Sequence, residues 1–273
     1  MQKYFLSIYA CFSWLILFGQ HSIDSLVQTE RRFANTSVKT RIRDAFLQYI
    51  DTVGIVFDKG QPVNGFQLYS HSDRAAGVLD WEPEFVEISS GNDFGYTTGP
   101  WNYYAKTVKD TPLAQGHFIT VWHLTDENKW KFLIDFGIGY GEERKQMPLK
   151  KVQTASSNLK PGDQESLKEA EEEFIRSYLE HKLGAYDKFL SANSRLNYKG
   201  FLPAVDEPAR KQLLDSLPSN IHYTVVGCGV SPAKDMGYVY GTMTVNNIQD
   251  GYLRIWRREK NGWKIAVEVL HFN

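Results

Sequence analysis

The sequence predicts an α+β fold made of two tandem cone-shaped α+β barrels, each with helices packed on a curved antiparallel sheet. The motif Asp-x-Gly-Tyr-x-x-Gly occurs twice, at 93–99 and 235–241, and a similar pair of strand patterns follows each copy. Upstream, Glu30 and Glu171 each precede a phenylalanine by three residues at a similar distance from the motif. Self-similarity over roughly a hundred residues indicates a duplicated domain.

Helical patterns open the first copy. Apolar residues recur at helical spacing over 26–34 and 40–49, a short strand at 54–57 and a turn at 60–62 follow, and a third helix is predicted over 66–75. From residue 84 onward the chain alternates as strands, with two long strands starting near Gly116 and Lys129. Helices followed by antiparallel strands are typical of an α+β domain. Gly99 and Gly241 suit a bulge or a sharp bend that curls each sheet around a cavity.

The second copy repeats this order. Helices are predicted at 167–179, 186–192 and 209–217, and strands at 221–230, 236–245, 252–258 and 263–272. The glutamates at 169–173 are interpreted as the solvated face of an amphipathic helix. We therefore predict a first domain at 24–141, a polar linker at 142–164 and a second domain at 165–273.

The first twenty residues are typical of a secretory signal peptide. A lysine precedes an apolar run over 4–18, which is shorter than the roughly twenty residues needed to span a bilayer. We therefore expect an exported protein, periplasmic or secreted, without stable membrane insertion. Removal of 1–20 leaves Cys228 as the only cysteine, so no internal disulfide is expected.

The charge balance argues against nucleic acid as a partner. The 31 basic and 32 acidic residues give a net charge of -1, whereas nucleic-acid binders usually carry a clustered basic face. A modest basic cluster crowds the last hairpin, and we interpret it as a solvated strand face, the alternative being contact with an anionic partner. Its members are Arg254, Arg257, Arg258, Lys260 and Lys264.

Several short segments, in order, resemble the nuclear transport factor 2-like superfamily, and in particular its domain of unknown function 4440 branch. The first copy carries the resemblance at 30–34, 45–47, 54–57, 95–101 and 130–131. The second copy is similar at Gly237-Tyr238, Gly241 and Trp263-Lys264 but lacks the Thr-x-Gly-Pro-Trp continuation. Together the copies cover most of 26–272.

The resemblance implies a cone-shaped barrel and commonly a dimer, which two fused copies would imitate as an intramolecular pseudo-dimer. Related families include ketosteroid isomerases and SnoaL-like polyketide cyclases. The fold hosts isomerases, cyclases, dehydratases and plain binding domains, so it does not fix the chemistry.

Acids and tyrosines on the cavity side are the candidates for function, because ketosteroid isomerase-like sites move a proton with a carboxylate. The catalytic candidates are Asp135 and Asp51. The candidates for contact with a small apolar ligand are Tyr49, Trp81, Tyr96, Trp101 and Trp122. Strict alternation puts Phe132 and Ile134 on one strand face and Asp135 on the other, which favours an outward Asp135 over one inside the cavity.

No cofactor or metal is expected. His117 and His123 share a strand face, but their spacing of roughly 20 Å is too wide for one ion. Three interpretations of function remain. The first is binding of a small apolar molecule in the first copy, the second is a cofactor-free isomerase, cyclase or dehydratase using a carboxylate and a tyrosine, and the third is a protein-interaction scaffold.

Overall fold

The structure, a computed structural model, describes residues 22–71, 77–141, 145–154, 161–218 and 220–272. The predicted signal peptide at 1–20 and parts of the predicted linker lie outside the described residues. We refer to 22–154 as the N-terminal unit and to 161–272 as the C-terminal unit. None of the helices in these ranges is long and apolar enough to cross a membrane.

The N-terminal unit places three helices against one sheet. Its elements are α1 (Ile23–Lys39), α2 (Ile42–Tyr49), β1 (Ile50–Asp58), β2 (Gln61–Asn64), α3 (Gly65–Ser70), β3 (Val78–Trp81), β4 (Phe85–Ile88), β5 (Phe94–Tyr104), β6 (Ala114–Leu124), β7 (Trp130–Gly139) and β8 (Lys150–Gln153). The strand order is β2-β1-β7-β6-β5-β4-β8, and β3 also pairs with β5. Helix α1 begins with a capping box between Ser22 and Ser25.

The C-terminal unit has the same general order of helices and strands. Its elements are α4 (Gln164–His181), α5 (Gly184–Phe189), β9 (Leu190–Tyr198), α6 (Glu207–Asp215), β10 (His222–Val230), β11 (Met236–Val245), β12 (Ile248–Glu259) and β13 (Gly262–Leu270). The strand order is β10-β11-β12-β13-β9. The predicted α+β class, with helices packed on curved sheets, is confirmed.

The sheets are mixed, not purely antiparallel as the sequence predicted. Strand β1 runs parallel to β7, and β9 runs parallel to β13, because each enters its sheet directly after helices and pairs with the last long strand of its unit. The range predicted as linker also contains β8, which extends the first sheet by pairing in parallel with β4. Its backbone covers the outer edge of β4.

The two sheets pack against each other through their outer faces. Thirteen buried apolar and aromatic side chains form a core between them, eight from β4 to β7 and five from β11 to β13. At its border Arg257 binds Glu87 with both carboxylate oxygens within 3.0 Å, and the Ser90 amide donates to Asp235 at 2.8 Å. A separate core joins the helices to the inner face of each sheet.

Candidate functional site

A cavity of about 330 Å³ lies in the N-terminal unit, between its helices and the inner face of its sheet. This volume is within the range of small-molecule pockets, roughly 300–1,000 Å³. Most of the wall is apolar, and Asp135 is the one charged side chain among the described residues that line it. The aromatic part of the wall comprises Phe46, Phe57, Tyr69, Trp81, Trp101, Tyr103 and Phe118.

Asp135 faces this cavity because β7 contains a bulge at Leu133. Residues 121–122 of β6 lie opposite Ile134 and Phe132, so Leu133 has no partner there. One extra residue moves every later side chain to the other face of the strand. Accordingly, Phe132 packs in the core beneath the helices and Ile134 in the core between the sheets. The prediction of strict alternation is therefore wrong, and so is the outward placement of Asp135 that it favoured.

The surroundings of Asp135 favour its protonated form. The Thr120 hydroxyl donates to Asp135 Oδ2 at 2.8 Å. Asp135 is half-buried and is one of the residues that line the cavity. Burial raises the pKa of Asp135 to about 7, against the smaller opposing effect of the Thr120 hydrogen bond. The group therefore takes up and releases protons near neutral pH.

A second carboxyl, Glu30 of α1, lies fully buried behind the cavity wall. Trp81 donates its indole N–H to Glu30 Oε1 at 2.6 Å, Trp122 donates to Oε2 at 2.9 Å, and the Thr97 hydroxyl also donates to Oε2. Burial raises the pKa of Glu30 to about 7, and repulsion from Asp135 acts in the same direction. The N-terminal unit thus holds two neighbouring carboxyls with pKa values near neutrality.

The C-terminal unit places a cation between the two corresponding carboxyls. Glu171 corresponds to Glu30, because each accepts a hydrogen bond from a tryptophan at the same sheet position, here Trp256 at 3.0 Å. Glu268 corresponds to Asp135, since each lies two residues beyond the bulge in the last long strand. Arg254 Nη1 lies 2.5 Å from Glu171, and its Nε lies 2.5 Å from Glu268.

Other side chains also fill the interior of the C-terminal unit. Tyr186 and Tyr198 donate their hydroxyls to Glu268 at 2.9 and 2.6 Å. Leu270 is fully buried at the position that Gly137 has beside the N-terminal cavity. Side chains therefore occupy in one unit the region that is open in the other.

The structure places the predicted ligand contacts in two groups. Trp81 and Trp101 line the cavity. Tyr49, Tyr96 and Trp122 are not among its lining residues. The ring of Tyr49 packs in the core, with its centre 5.0 Å from that of Phe33. Trp122 is buried and donates a hydrogen bond to Glu30.

Tyr96 lies on the opposite face of the sheet from the cavity. It donates its hydroxyl to Glu87 at 2.8 Å, within the core between the two sheets. Burial, with the neighbouring Glu87 charge, raises the pKa of this phenol well above its usual value. Tyr96 is therefore a structural donor between the sheets.

Asp51 lies at the start of β1, away from the cavity. Its Oδ2 is 2.8 Å from Nε2 of His123, and its Oδ1 accepts the Val53 amide at 3.0 Å. Burial opposes ionisation, but these hydrogen bonds outweigh it, so the pKa of Asp51 lies below its usual value. The structure therefore does not bring the two catalytic candidates, Asp51 and Asp135, to one site.

Two charged residues that the sequence predicts to be solvated are buried. Glu171 is 1% exposed although it belongs to the glutamate run interpreted as solvated, and Arg254 is 0% exposed although it belongs to the basic hairpin. The available signal was the recurrence of a glutamate three residues before a phenylalanine, at Glu30 and Glu171. Across the described residues, no cluster of three or more His, Cys, Asp or Glu side chains is arranged to hold a metal.

No family model matches the sequence, and no curated protein matches it significantly. Among solved structures, it is similar to a nuclear transport factor 2-like protein of unknown function from Shewanella oneidensis, with 20% identity over 42% of this chain and 96% of that chain and a TM-score of 0.34. A ketosteroid isomerase-like protein from Erwinia carotovora atroseptica shares 16% identity over 38% of this chain and 92% of that chain, with a TM-score of 0.32. Nuclear transport factor 2 from Cryptosporidium parvum shares 12% identity over 41% of this chain and 95% of that chain, with a TM-score of 0.34. The similarity is one of fold, and each match spans less than half of this chain.

Proposed function

We propose that the N-terminal unit binds a small, mostly apolar molecule in its cavity, with Asp135 as the polar contact. The observation that carries this proposal is a single carboxyl, with a pKa of about 7, in an otherwise apolar and aromatic pocket. Apolar walls with a few placed polar groups are typical of small-molecule sites. Folded proteins rarely bury a carboxyl that has only one hydrogen bond unless it has a task.

The substitution Gly137→Leu tests this proposal by filling the cavity. A side chain at Gly137 would begin 3.3 Å from the Trp101 indole nitrogen, and Leu270 already fills the corresponding position in the C-terminal unit. The neutral dye phenylnaphthylamine, which fluoresces in apolar surroundings, should bind the natural protein. We expect its affinity for Gly137→Leu to be lower by about tenfold or more, roughly 1.4 kcal/mol.

Gly139→Ala is the control, because a side chain at Gly139 meets its nearest atom at an ordinary 3.7 Å. This variant should bind the dye as the natural protein does. Near-ultraviolet circular dichroism verifies that both variants keep their aromatic packing. Equal dye affinity in Gly137→Leu and the natural protein would contradict binding in this cavity.

Cofactor-free acid–base catalysis is the second candidate function, and the pKa of Asp135 favours it. A general base works best when its pKa lies near the operating pH. Native mass spectrometry of the purified protein, compared with its denatured mass, identifies a compound that co-purifies. Conversion of that compound by the natural protein but not by Asp135→Asn, with a rate that rises through pH 7, would support an enzyme. A compound that binds and stays unchanged would contradict catalysis and support the binding function.

We also infer that the units are copies of one ancestral domain and act as an intramolecular pseudo-dimer. The recurring contacts support this: Trp130 donates to Ser25 at 3.0 Å, and Trp263 donates to Ser166 at 3.1 Å. The extensive apolar contact between the sheets supports a protein that is a monomer in solution, and a concentration-independent dimer in sedimentation would contradict it. The short segments around the first motif support a place in the domain of unknown function 4440 branch.

The export of the protein remains part of the proposal. The lysine and the apolar run at 4–18 support cleavage of a signal peptide near residue 20. Amino-terminal sequencing of the protein recovered from an exporting host tests it. Recovery of a chain that still begins at Met1 would contradict cleavage.

A further inference from the structure

In the C-terminal unit, carboxylates and aromatic rings together surround the guanidinium of Arg254. The Arg254 guanidinium lies 4.2 Å from the centre of the Tyr223 ring and 4.9 Å from that of Tyr252, with Glu268 as one of its ion-pair partners. Aromatic faces and carboxylates both attract cations, and they do so more strongly away from water. In this unit, the cation is part of the chain.

The N-terminal unit repeats the surroundings of that cation without the cation itself. Thr120 stands at the sheet position of Arg254, paired to Thr97 as Arg254 is paired to Val239. Trp81 corresponds to Tyr223, because each pairs with the residue eight positions after the first residue of the motif. Phe118 corresponds to Tyr252, because each pairs with the last glycine of the motif. Both Trp81 and Phe118 line the cavity with Asp135.

Of the two N-terminal carboxyls, Asp135 is the one left for an outside partner. Glu30 accepts hydrogen bonds from two indoles and a hydroxyl and has no exposed surface. Among the described residues, Thr120 alone donates a hydrogen bond to Asp135, which faces the cavity. Threonine is much shorter than arginine and carries no charge, so Thr120 bonds to Asp135 but cannot pair with both carboxyls as Arg254 does.

We propose that the ligand of the N-terminal cavity carries a cationic nitrogen on its apolar body, an ammonium or a guanidinium placed at Asp135 against the Trp81 and Phe118 rings. This inference rests on the proposed function and adds the charge of the ligand to it. An ionised carboxylate in an apolar pocket is costly without a partner, and a ligand cation supplies one.

Two probes of the same shape test the charge. Benzyltrimethylammonium is permanently cationic, and neopentylbenzene replaces its nitrogen with carbon. The affinity of each probe is measured by competition with phenylnaphthylamine at pH 8, for the natural protein and for Asp135→Asn. The ratio of the ammonium affinity to the hydrocarbon affinity should fall by about tenfold or more in the variant, a coupling of roughly 1.4 kcal/mol between ligand charge and carboxylate.

The hydrocarbon bound by the same variant reports that its cavity is still formed. A ratio that stays within about twofold of the natural protein would overturn the cationic ligand while leaving the proposed function in place. Failure of both probes and of the dye to bind the natural protein would contradict the proposed function itself. If neopentylbenzene displaces the dye from the natural protein and benzyltrimethylammonium does not, the proposal of a cationic ligand is also overturned.

Discussion

Replacing Asp135 with Asn should make the protein more stable at pH 8 and change its stability little near pH 4. The unfolded carboxyl loses its proton near its ordinary pKa of 3.8, whereas the folded one holds it to about 7. The stability due to the bound proton is therefore present below pH 4 and is lost as the pH rises through 7. Asn does not titrate, so the gain at pH 8 should be on the order of 2–4 kcal/mol for a shift of about three pKa units.

Urea unfolding of both proteins at pH 4, 6 and 8 measures this gain. Asp51→Asn is the matched control, because the pKa of Asp51 is lowered by its hydrogen bonds and its removal should cost stability at pH 8. A carboxyl that reduces the stability of the fold at neutral pH is expected where function, and not folding, retains it. The absence of any pH-dependent gain in Asp135→Asn would contradict the raised pKa.

Replacing Arg254 with Met should destabilise the protein by about 3–5 kcal/mol, the usual cost of removing one partner from a buried ion pair. Glu171 and Glu268 would then remain buried with no cation between them. Burial already raises the pKa of Glu171 even with the arginine present. The loss should be measurable as a lower midpoint of urea unfolding.

The control is the triple variant Arg254→Met, Glu171→Gln, Glu268→Gln, which removes the charges together. Because it leaves no uncompensated carboxylate, it should recover much of the stability lost in the single variant. A single variant as stable as the natural protein would show that the guanidinium does not hold the C-terminal interior closed.

The recurring motif was sufficient to predict the class of the fold and the location of the long strands that begin at or follow each copy, whereas β9 was not predicted. Register pairs Gly95 with Trp122 and Gly237 with Trp256, and the strands lie close to their predicted ranges. Repetition is informative about local structure because the same strand pairing is made in both places.

The face of the sheet on which each side chain lies was harder to predict, because a single extra residue in a strand reverses it. One bulge at Leu133 reverses the face of Asp135, and nothing in the alternation of 130–136 reveals it. The bulge is visible only in the pairing of β7 with β6, in which Leu133 has no partner. The same limit explains Arg254, which looks like a surface residue until its two carboxyl partners are brought to it from α4 and β13.

The aromatic residues show a similar division. Trp81, Trp101 and Trp122 are all predicted ligand contacts, yet only the first two line the cavity. Trp122 instead reaches Glu30 from beneath, because a helix crosses the inner face of the sheet at that point. Composition predicts an aromatic interior, whereas the helix packing decides which rings a ligand meets.

A crystal structure of the protein with phenylnaphthylamine tests the central claim most directly. We predict the dye inside the N-terminal unit, in contact with Trp81 and Phe118 and close to Asp135, while Arg254 fills the corresponding interior of the C-terminal unit. A dye bound only on the outside of the molecule, or an N-terminal interior closed by its own aromatic side chains, would contradict the account.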